Sequence, residues 1–328
     1  MNTTSPVEYN SAFYIVFATL CLLWVPFICF GNILVMIAVF ITPALRTVPN
    51  VFVASLALGD LFMGFFGIPM YVIVQYILLD YANQDRTACF LSFASVIFAG
   101  EVSLISLMAV GVDRYFAIVK PFIYVEVMTV NRALIATVGI WIYATLGALL
   151  PLMGWTEWRD GTKQCLFSNY TTFSYTAVLL FHVLIIFIVT TYMYSIVFWT
   201  AKKHRKQIAQ QAINIKDSDT ENKPSMKENW KITKMLALVL GIVYMTWFPY
   251  LFIQGLRIVY PSPEPIWLSV VAQFTPCITF SNSIMNPVIY GIKNKAFRQA
   301  FKHILCQMRE QHNVENSSFS LNTEMTTS

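Results

Sequence analysis

Long apolar runs alternate with short polar breaks along nearly the whole chain. Seven segments carry the apolar runs, near 12–40, 48–77, 87–119, 132–155, 172–200, 230–257 and 266–291. Each reaches the roughly 20 residues that cross about 30 Å of hydrocarbon as a helix. The third segment is the least apolar, because it holds Glu101, Asp113 and Arg114. Charges in a span face a bundle interior rather than lipid, so it still reads as a span. The pattern predicts an all-α membrane protein. A seven-transmembrane helix bundle occupies 12–291, between an extracellular N-terminus (1–11) and, at the other end, an amphipathic surface helix (292–306) and a cytoplasmic tail (307–328).

Two stretches outside the spans have patterns of their own. From Asn294 to Leu305, a helix places Phe297, Phe301, Ile304 and Leu305 on one face and Lys295, Arg298 and Lys302 on the other. That fits a short helix lying on the inner membrane surface. Cys306 at its end reads either as a palmitoylation site or as an idle thiol. The segment from Lys202 to Glu228 is polar without apolar periodicity, and reads as a mobile loop.

Composition agrees with lipid as the solvent. Apolar residues make up 57% and charged residues 12%, about half the charge of a soluble domain. The first apolar run follows a short polar leader and is too long for a signal-peptide core, so it reads as a span directing its own insertion. The net charge of +5 does not mark a nucleic-acid binder, because the basic residues fall between and after spans. Of 22 Lys and Arg, all but Arg86, Arg159, Lys163 and Arg257 lie on one side. The positive-inside rule places that side in the cytoplasm and the N-terminus outside. The expected location is the plasma membrane. Sequons at Asn2 and Asn169 fall in outer segments and are candidate glycosylation sites, whereas that at Asn316 lies inside.

Polar residues inside spans are costly, and each asks for a role. Asp60 lies mid-span, and Asn32, Ser103, Asn282, Ser283 and Asn286 are placed to converge on it. Such oxygens suit a small hard cation with water; a hydrogen-bonded polar core without an ion is the simpler reading of the same residues. Asp113-Arg114-Tyr115 ends the third span, where an adjacent carboxylate holds the Arg in a releasable pair. Trp247-Phe248-Pro249 sets a large ring before a kink, and Asn286-Pro287-Val288-Ile289-Tyr290 is a second Pro-kinked stretch. Glu101 and His182 meet if the third and fifth helices pack together. They then either touch a polar ligand group or staple the two helices, the staple being preferred. No catalytic constellation or metal-type spacing stands out, so no enzyme is expected.

Taken together and in order, Gly31-Asn32, Leu56-Ala57-Leu58-Gly59-Asp60, Cys89, Asp113-Arg114-Tyr115, Trp141, Trp247-Phe248-Pro249 and Asn286-Pro287-Val288-Ile289-Tyr290 resemble the rhodopsin-like (class A) G-protein-coupled receptors over about 12–306. The resemblance implies several roles. Cys89 and Cys165 would form a disulfide, and Asp60, Ser103, Asn282 and Asn286 a pocket for an allosteric sodium ion. Asp113, Arg114, Tyr115, Tyr194 and Tyr290 would form the switch that admits a heterotrimeric G protein.

The nearest branch is the adenosine, cannabinoid, melanocortin and lysophospholipid group. Pro151-Leu152-Met153-Gly154-Trp155, Cys165-Leu166-Phe167 and Cys89 lean toward adenosine. The implied ligand is a small molecule, purine nucleoside or lipid-like, in a pocket lined by Val96, Phe167, Trp247, Tyr250, Gln254 and Thr279, with Glu101 and His182 below.

Departures from the adenosine pattern point to a divergent or orphan member. Gln254 replaces an Asn, Phe280 and Leu251 replace His, Ser168 replaces an acidic residue and Ile186 replaces a Pro. Val96 stands where amine receptors resemble one another in carrying Asp, and Phe280 where opsins carry Lys. Asn229 takes the place of the acidic residue that holds Arg114 from the sixth helix, so appreciable basal signalling is expected. A transporter is the rival of a different class, disfavoured because the two halves show no inverted repeat.

Overall fold

The computed structural model describes residues 11–158, 165, 167–214, 224–260, 265–307 and 309. Among them, six helices are long and apolar enough to cross a membrane: Ile15–Ile41, Val48–Ile77, Arg86–Val119, Val130–Leu149, Phe173–Lys203 and Ala237–Arg257. The seventh segment is two helices, Ile266–Phe280 and Asn282–Lys293, meeting at Ser281.

The third span is the central post, packed against the second, fourth and fifth, while the seventh segment closes the ring between the sixth and the first. The fourth span is peripheral and buries only Ala133, Ala144 and Ala148. Phe65, Phe66, Ile135, Leu146, Phe181 and Phe248 are more than half exposed on the outer faces, as residues solvated by lipid should be.

Prolines bend this bundle, and side chains repair the backbone they disrupt. A proline removes the hydrogen bond to the carbonyl four residues back. Pro287 frees the Ser283 carbonyl, which accepts from Asn32 Nδ2 at 3.0 Å. Pro276 frees the Ala272 carbonyl, which accepts from the Thr275 hydroxyl at 3.2 Å. In the second span, a π-helical turn at Met63–Gly67 precedes Pro69, a known way to absorb such a kink. The fifth span has no proline; Ile186 continues it, and the Thr190 hydroxyl bonds back to the Ile186 carbonyl at 2.6 Å.

The span ends are fixed by specific contacts. Asp85 caps the third span, accepting from the Thr87 and Ala88 amides at 2.8 and 3.3 Å and from the Tyr81 hydroxyl at 2.8 Å. The Tyr81 bond first, then the two amides, hold this exposed carboxyl below its ordinary value. The cap is therefore at full strength above about pH 4 and is lost as pH falls through the lower folded-state value. The fifth span is flanked by tryptophans: Trp155 Nε1 donates to Ser174 Oγ at 2.9 Å, and the Lys202 ammonium lies 5.1 Å from the Trp199 ring centroid.

The structure corrects several expected boundaries. The fourth helix stops at Leu149, before a turn that ends at Gly154 with φ 112°. The expected loop from Lys202 to Glu228 is helical at both ends, because the fifth helix runs to Asn214 and the sixth begins at Pro224. A short helix, Pro121–Val127, occupies the loop between the third and fourth spans. The surface helix spans 295–307 and is capped by Asn294, whose Oδ1 accepts from the Ala296 and Phe297 amides. Phe297, Phe301 and Ile304 are buried as expected, but Leu305 is exposed.

Helices approach most closely where side chains are absent. A Cβ built on Gly59 would sit 2.8 Å from Val102 Cγ1, so the second and third spans meet there at backbone distance. Gly59→Ala should destabilise the fold by about 1–3 kcal/mol through overpacking. Gly139→Ala, with nothing within 4 Å, should not. Thermal denaturation of the two purified variants checks the contrast.

Candidate functional site

At mid-bundle, Asp60 is 1% exposed. Ser283 Oγ donates to its Oδ1 at 2.7 Å and Asn286 Nδ2 to its Oδ2 at 2.9 Å, and the Ser103 hydroxyl lies nearby without a hydrogen bond to the carboxylate. The structure thus brings Asp60, Ser103 and Asn286 together. Asn32 is spent on main-chain carbonyls, those of Ile28 at 2.9 Å and Ser283 at 3.0 Å. Among the described hydrogen bonds, none joins Asn282 to Asp60; the neighbouring Ser283 supplies that contact instead. The Oδ1 atoms of Asn32 and Asn282 are both buried without a hydrogen-bond partner. A dry interior rarely tolerates such acceptors.

At the C-terminal end of the third span, Asp113 is fully buried and Arg114 is 9% exposed. Arg114 Nε donates to Asp113 Oδ2 at 2.8 Å, and Nη2 engages the same oxygen. The other carboxylate oxygen accepts from the Tyr124 hydroxyl at 3.0 Å. Burial first, and then the Asp113 charge, push the Tyr124 hydroxyl up to about 12, so it remains a donor. Tyr115 turns aside and meets Phe116 edge-to-face at 5.6 Å.

Tyr194 is buried with its hydroxyl unpartnered, its ring seated on Gly111. Tyr290 stacks on Phe297 of the surface helix at 5.3 Å. The side chains of Glu228 and Asn229 lie outside the described residues. Sequence reasoning missed Tyr124, and also Phe122, which is 91% exposed on the same short helix. A large apolar ring so exposed, near a buried ion pair, was a signal in principle. Reading it needed the loop to be seen as a helix.

At the opposite end of the bundle, Cys89 and Cys165 are disulfide-bonded. The bond draws the outer loop onto the third span and sets Phe167 against Phe93 and Tyr170, with centroids at 5.5 and 6.1 Å. Val96 belongs to a different packing group, around Ala99, Val72 and Phe280. Trp247 lies over Gly100 with its Nε1 buried and unpartnered, and meets Tyr250 edge-to-face at 6.5 Å. Tyr250 is within hydrogen-bonding reach of Gln254, which is 7% exposed. The Thr279 hydroxyl donates to the main chain, with the Thr246 and Thr275 carbonyls at 3.2 and 3.1 Å. Only its lone pairs are left for a ligand.

Below these residues, His182 Nδ1 lies 3.3 and 3.2 Å from the two Glu101 carboxylate oxygens. Glu101 and His182 therefore do meet, joining the third and fifth helices. Cys306 is an exposed free thiol. Asn2 and the Asn169 side chain lie outside the described residues.

The Asp60 cluster makes a stability prediction. Asp60→Ala strands the Ser283 and Asn286 donors, at about 1–3 kcal/mol for each. Asp60→Asn keeps an acceptor oxygen and should lose less. Thermal denaturation of the purified protein ranks the two variants.

Comparison with known proteins agrees with this layout. The family described as 7 transmembrane receptor (rhodopsin family) matches residues 31–290. The chain is similar to the adenosine receptor A2b of Mus musculus, 30% identical over 305 residues, covering 84% of this chain and 87% of that protein. It is 29% identical to the adenosine receptor A2b of Rattus norvegicus, with the same coverage. It is also 30% identical to a melanopsin of Branchiostoma belcheri over 84% of this chain, which spans only 40% of that longer protein. Members of the family are multi-pass membrane receptors rather than enzymes; they couple to G proteins and take small-molecule ligands. The sequence motifs, the helical bundle and the match over 31–290 together show that this chain belongs to the rhodopsin family of seven-transmembrane receptors, the class A G-protein-coupled receptors.

Proposed function

We propose that this receptor sits in the plasma membrane with its N-terminus outside, binds a purine nucleoside of the adenosine type, and relays that event to a heterotrimeric G protein. The observation that carries the relay is at the inner face. Arg114 is neutralised by Asp113, Asp113 is held by Tyr124, and Phe122 stands exposed on the same short helix. A closed ion pair beside an unpartnered apolar ring is a resting switch with a docking feature next to it.

For the ligand, the support is the Trp247–Tyr250–Gln254 column on the sixth helix, with Phe167 drawn inward by the disulfide. A primary amide at Gln254 both donates and accepts, as a purine edge requires. Phe167 offers a π face for a flat ring. Phe280, Leu251 and Ser168 remain unlike the adenosine pattern, so a lipid-like ligand is the second reading.

An allosteric sodium ion is part of the same proposal. Asp60 would hold it, with the Ser283 hydroxyl beside the carboxylate and Ser103 nearby as further oxygens of the right hardness. Bound there, a cation would offset the buried carboxylate charge.

Cells expressing the chain should change their cAMP in a dose-dependent way on adding adenosine. Phe167→Ala and Gln254→Ala should each shift the response at least tenfold, about 1.4 kcal/mol. No adenosine response, with a basal signal that Arg114→Ala removes, would keep the receptor and turn the ligand toward lipids.

The inner lock makes a separate prediction. Asp113→Asn should raise ligand-independent nucleotide exchange on the G protein, and Tyr124→Phe should raise it less, because it removes one hydrogen bond and no charge. Exchange measured in membranes, per receptor, tests that order.

A further inference from the structure

The first span and the seventh segment run side by side in the same direction, and two contacts fix their register. Near their starts, the Phe17 and Phe274 rings meet edge-to-face at 5.4 Å. Further along, a Cβ built on Gly31 would sit 2.9 Å from Pro287 Cγ, so the two helices approach closely there. Between these contacts stand Cys21 and Cys277, about one turn beyond the phenylalanines. A step of ten residues leads from Cys21 to Gly31, and the same step leads from Cys277 to Pro287. The register therefore opposes the two cysteines, and their thiols lie against each other. We propose that Cys21 and Cys277 are a dithiol that a peroxide converts to a disulfide, tying the first span to the seventh segment. The proposal goes beyond the receptor reading and depends on neither the ligand nor the G protein.

The pair is set apart from the other free thiols. Cys29 lies about two turns beyond Cys21, against Gly64 of the second span, and Cys306 is exposed on the surface helix. Cys21 is fully buried in a packing group with Phe17, Ile68, Val72 and Phe280. Cys277 packs against the same group but is partly exposed. A small oxidant therefore meets Cys277 first, with Cys21 behind it.

Trp24 completes the arrangement. It lies one turn from Cys21 on the same helix face, beside Cys277, and its Nε1 is buried without a hydrogen-bond partner. An indole N–H can only donate, so it stabilises negative charge as that charge develops on sulfur. This matters because the thiolate, not the thiol, is the nucleophile.

Hydrogen peroxide, small and uncharged, is the oxidant that suits so enclosed a pair. The Cys277 sulfur attacks one peroxide oxygen and the O–O bond breaks. The second oxygen leaves as water, taking the proton that the thiol gave up. Cys21 then attacks the resulting sulfenic sulfur; the S–S bond forms, the S–O bond breaks, and a second water carries away the Cys21 proton. Two thiols lose two electrons, and one peroxide is reduced to two waters. Tyr71 packs against both this group and the one that holds the Cys89–Cys165 bond, so the two sites share one end of the bundle. Disulfides persist where the surroundings are oxidising. The bridge would fix the Ile266–Phe280 helix, just before Thr279, and leave Asn282–Lys293 beyond the break at Ser281 unconstrained.

The test uses the full chain in membranes, with Cys29→Ser and Cys306→Ser so that only this pair of thiols remains free. After treatment with hydrogen peroxide and denaturation, maleimide labelling counts the thiols left and peptide mass spectrometry identifies any bridge. Both thiols should be lost together, with a peptide bridged between Cys21 and Cys277. Adding Cys277→Ala should leave the Cys21 thiol free to label. Should the serine substitutions keep the chain from folding, the same bridged peptide is sought in the peroxide-treated parent. Survival of both thiols in excess peroxide, oxidation of each sulfur singly without a bridged peptide, or loss of the Cys21 thiol in the Cys277→Ala variant would each overturn the proposal.

Discussion

Hydrocarbon offers no hydrogen bonds, so each polar group carried into it must find a partner within the protein. Most of the backbone meets this by being helical. Where proline breaks the ladder, a side chain makes the repair, as Asn32 does for the carbonyl that Pro287 releases. The same demand gathers Ser103, Ser283 and Asn286 around Asp60 and clamps Asp113 between Arg114 and Tyr124. The polar constellations that a receptor needs for switching are therefore also what joins its helices.

That demand explains why the spans could be read from the sequence. A run of apolar residues long enough to cross lipid has few other uses, and a polar residue inside one flags itself. The positions of Asp60, Glu101 and Arg114 were conspicuous for this reason. The helical extensions at 202–214 and 224–228 were not, because they carry no apolar periodicity to mark them in the sequence. The short Pro121–Val127 helix, and with it the role of Tyr124, was hidden for the same reason.

Detail within the site was legible only to about one residue. Asn282 and Ser283 are adjacent and both polar, and which of them faces Asp60 depends on the local winding at Ser281, where the seventh segment divides. The outer pocket shows a related limit. Trp247, Tyr250 and Gln254 share one helix face, so their column follows from spacing. Val96 and Phe167 sit in separate packing groups, and nothing in the sequence relates them except the disulfide that sets the outer loop.

The Trp199–Lys202 contact at the inner end of the fifth span restricts how that helix can move. An indole prefers the headgroup layer and a lysine extends from it into water, so together they fix the depth of the helix in the bilayer. Trp155, bonded to Ser174 near the outer end, adds a second anchor. A piston stroke along the helix axis would drag both rings out of their layers. Swinging or twisting about the axis leaves both in place. Anchors of this kind favour swinging or twisting of the fifth helix over sliding along its axis.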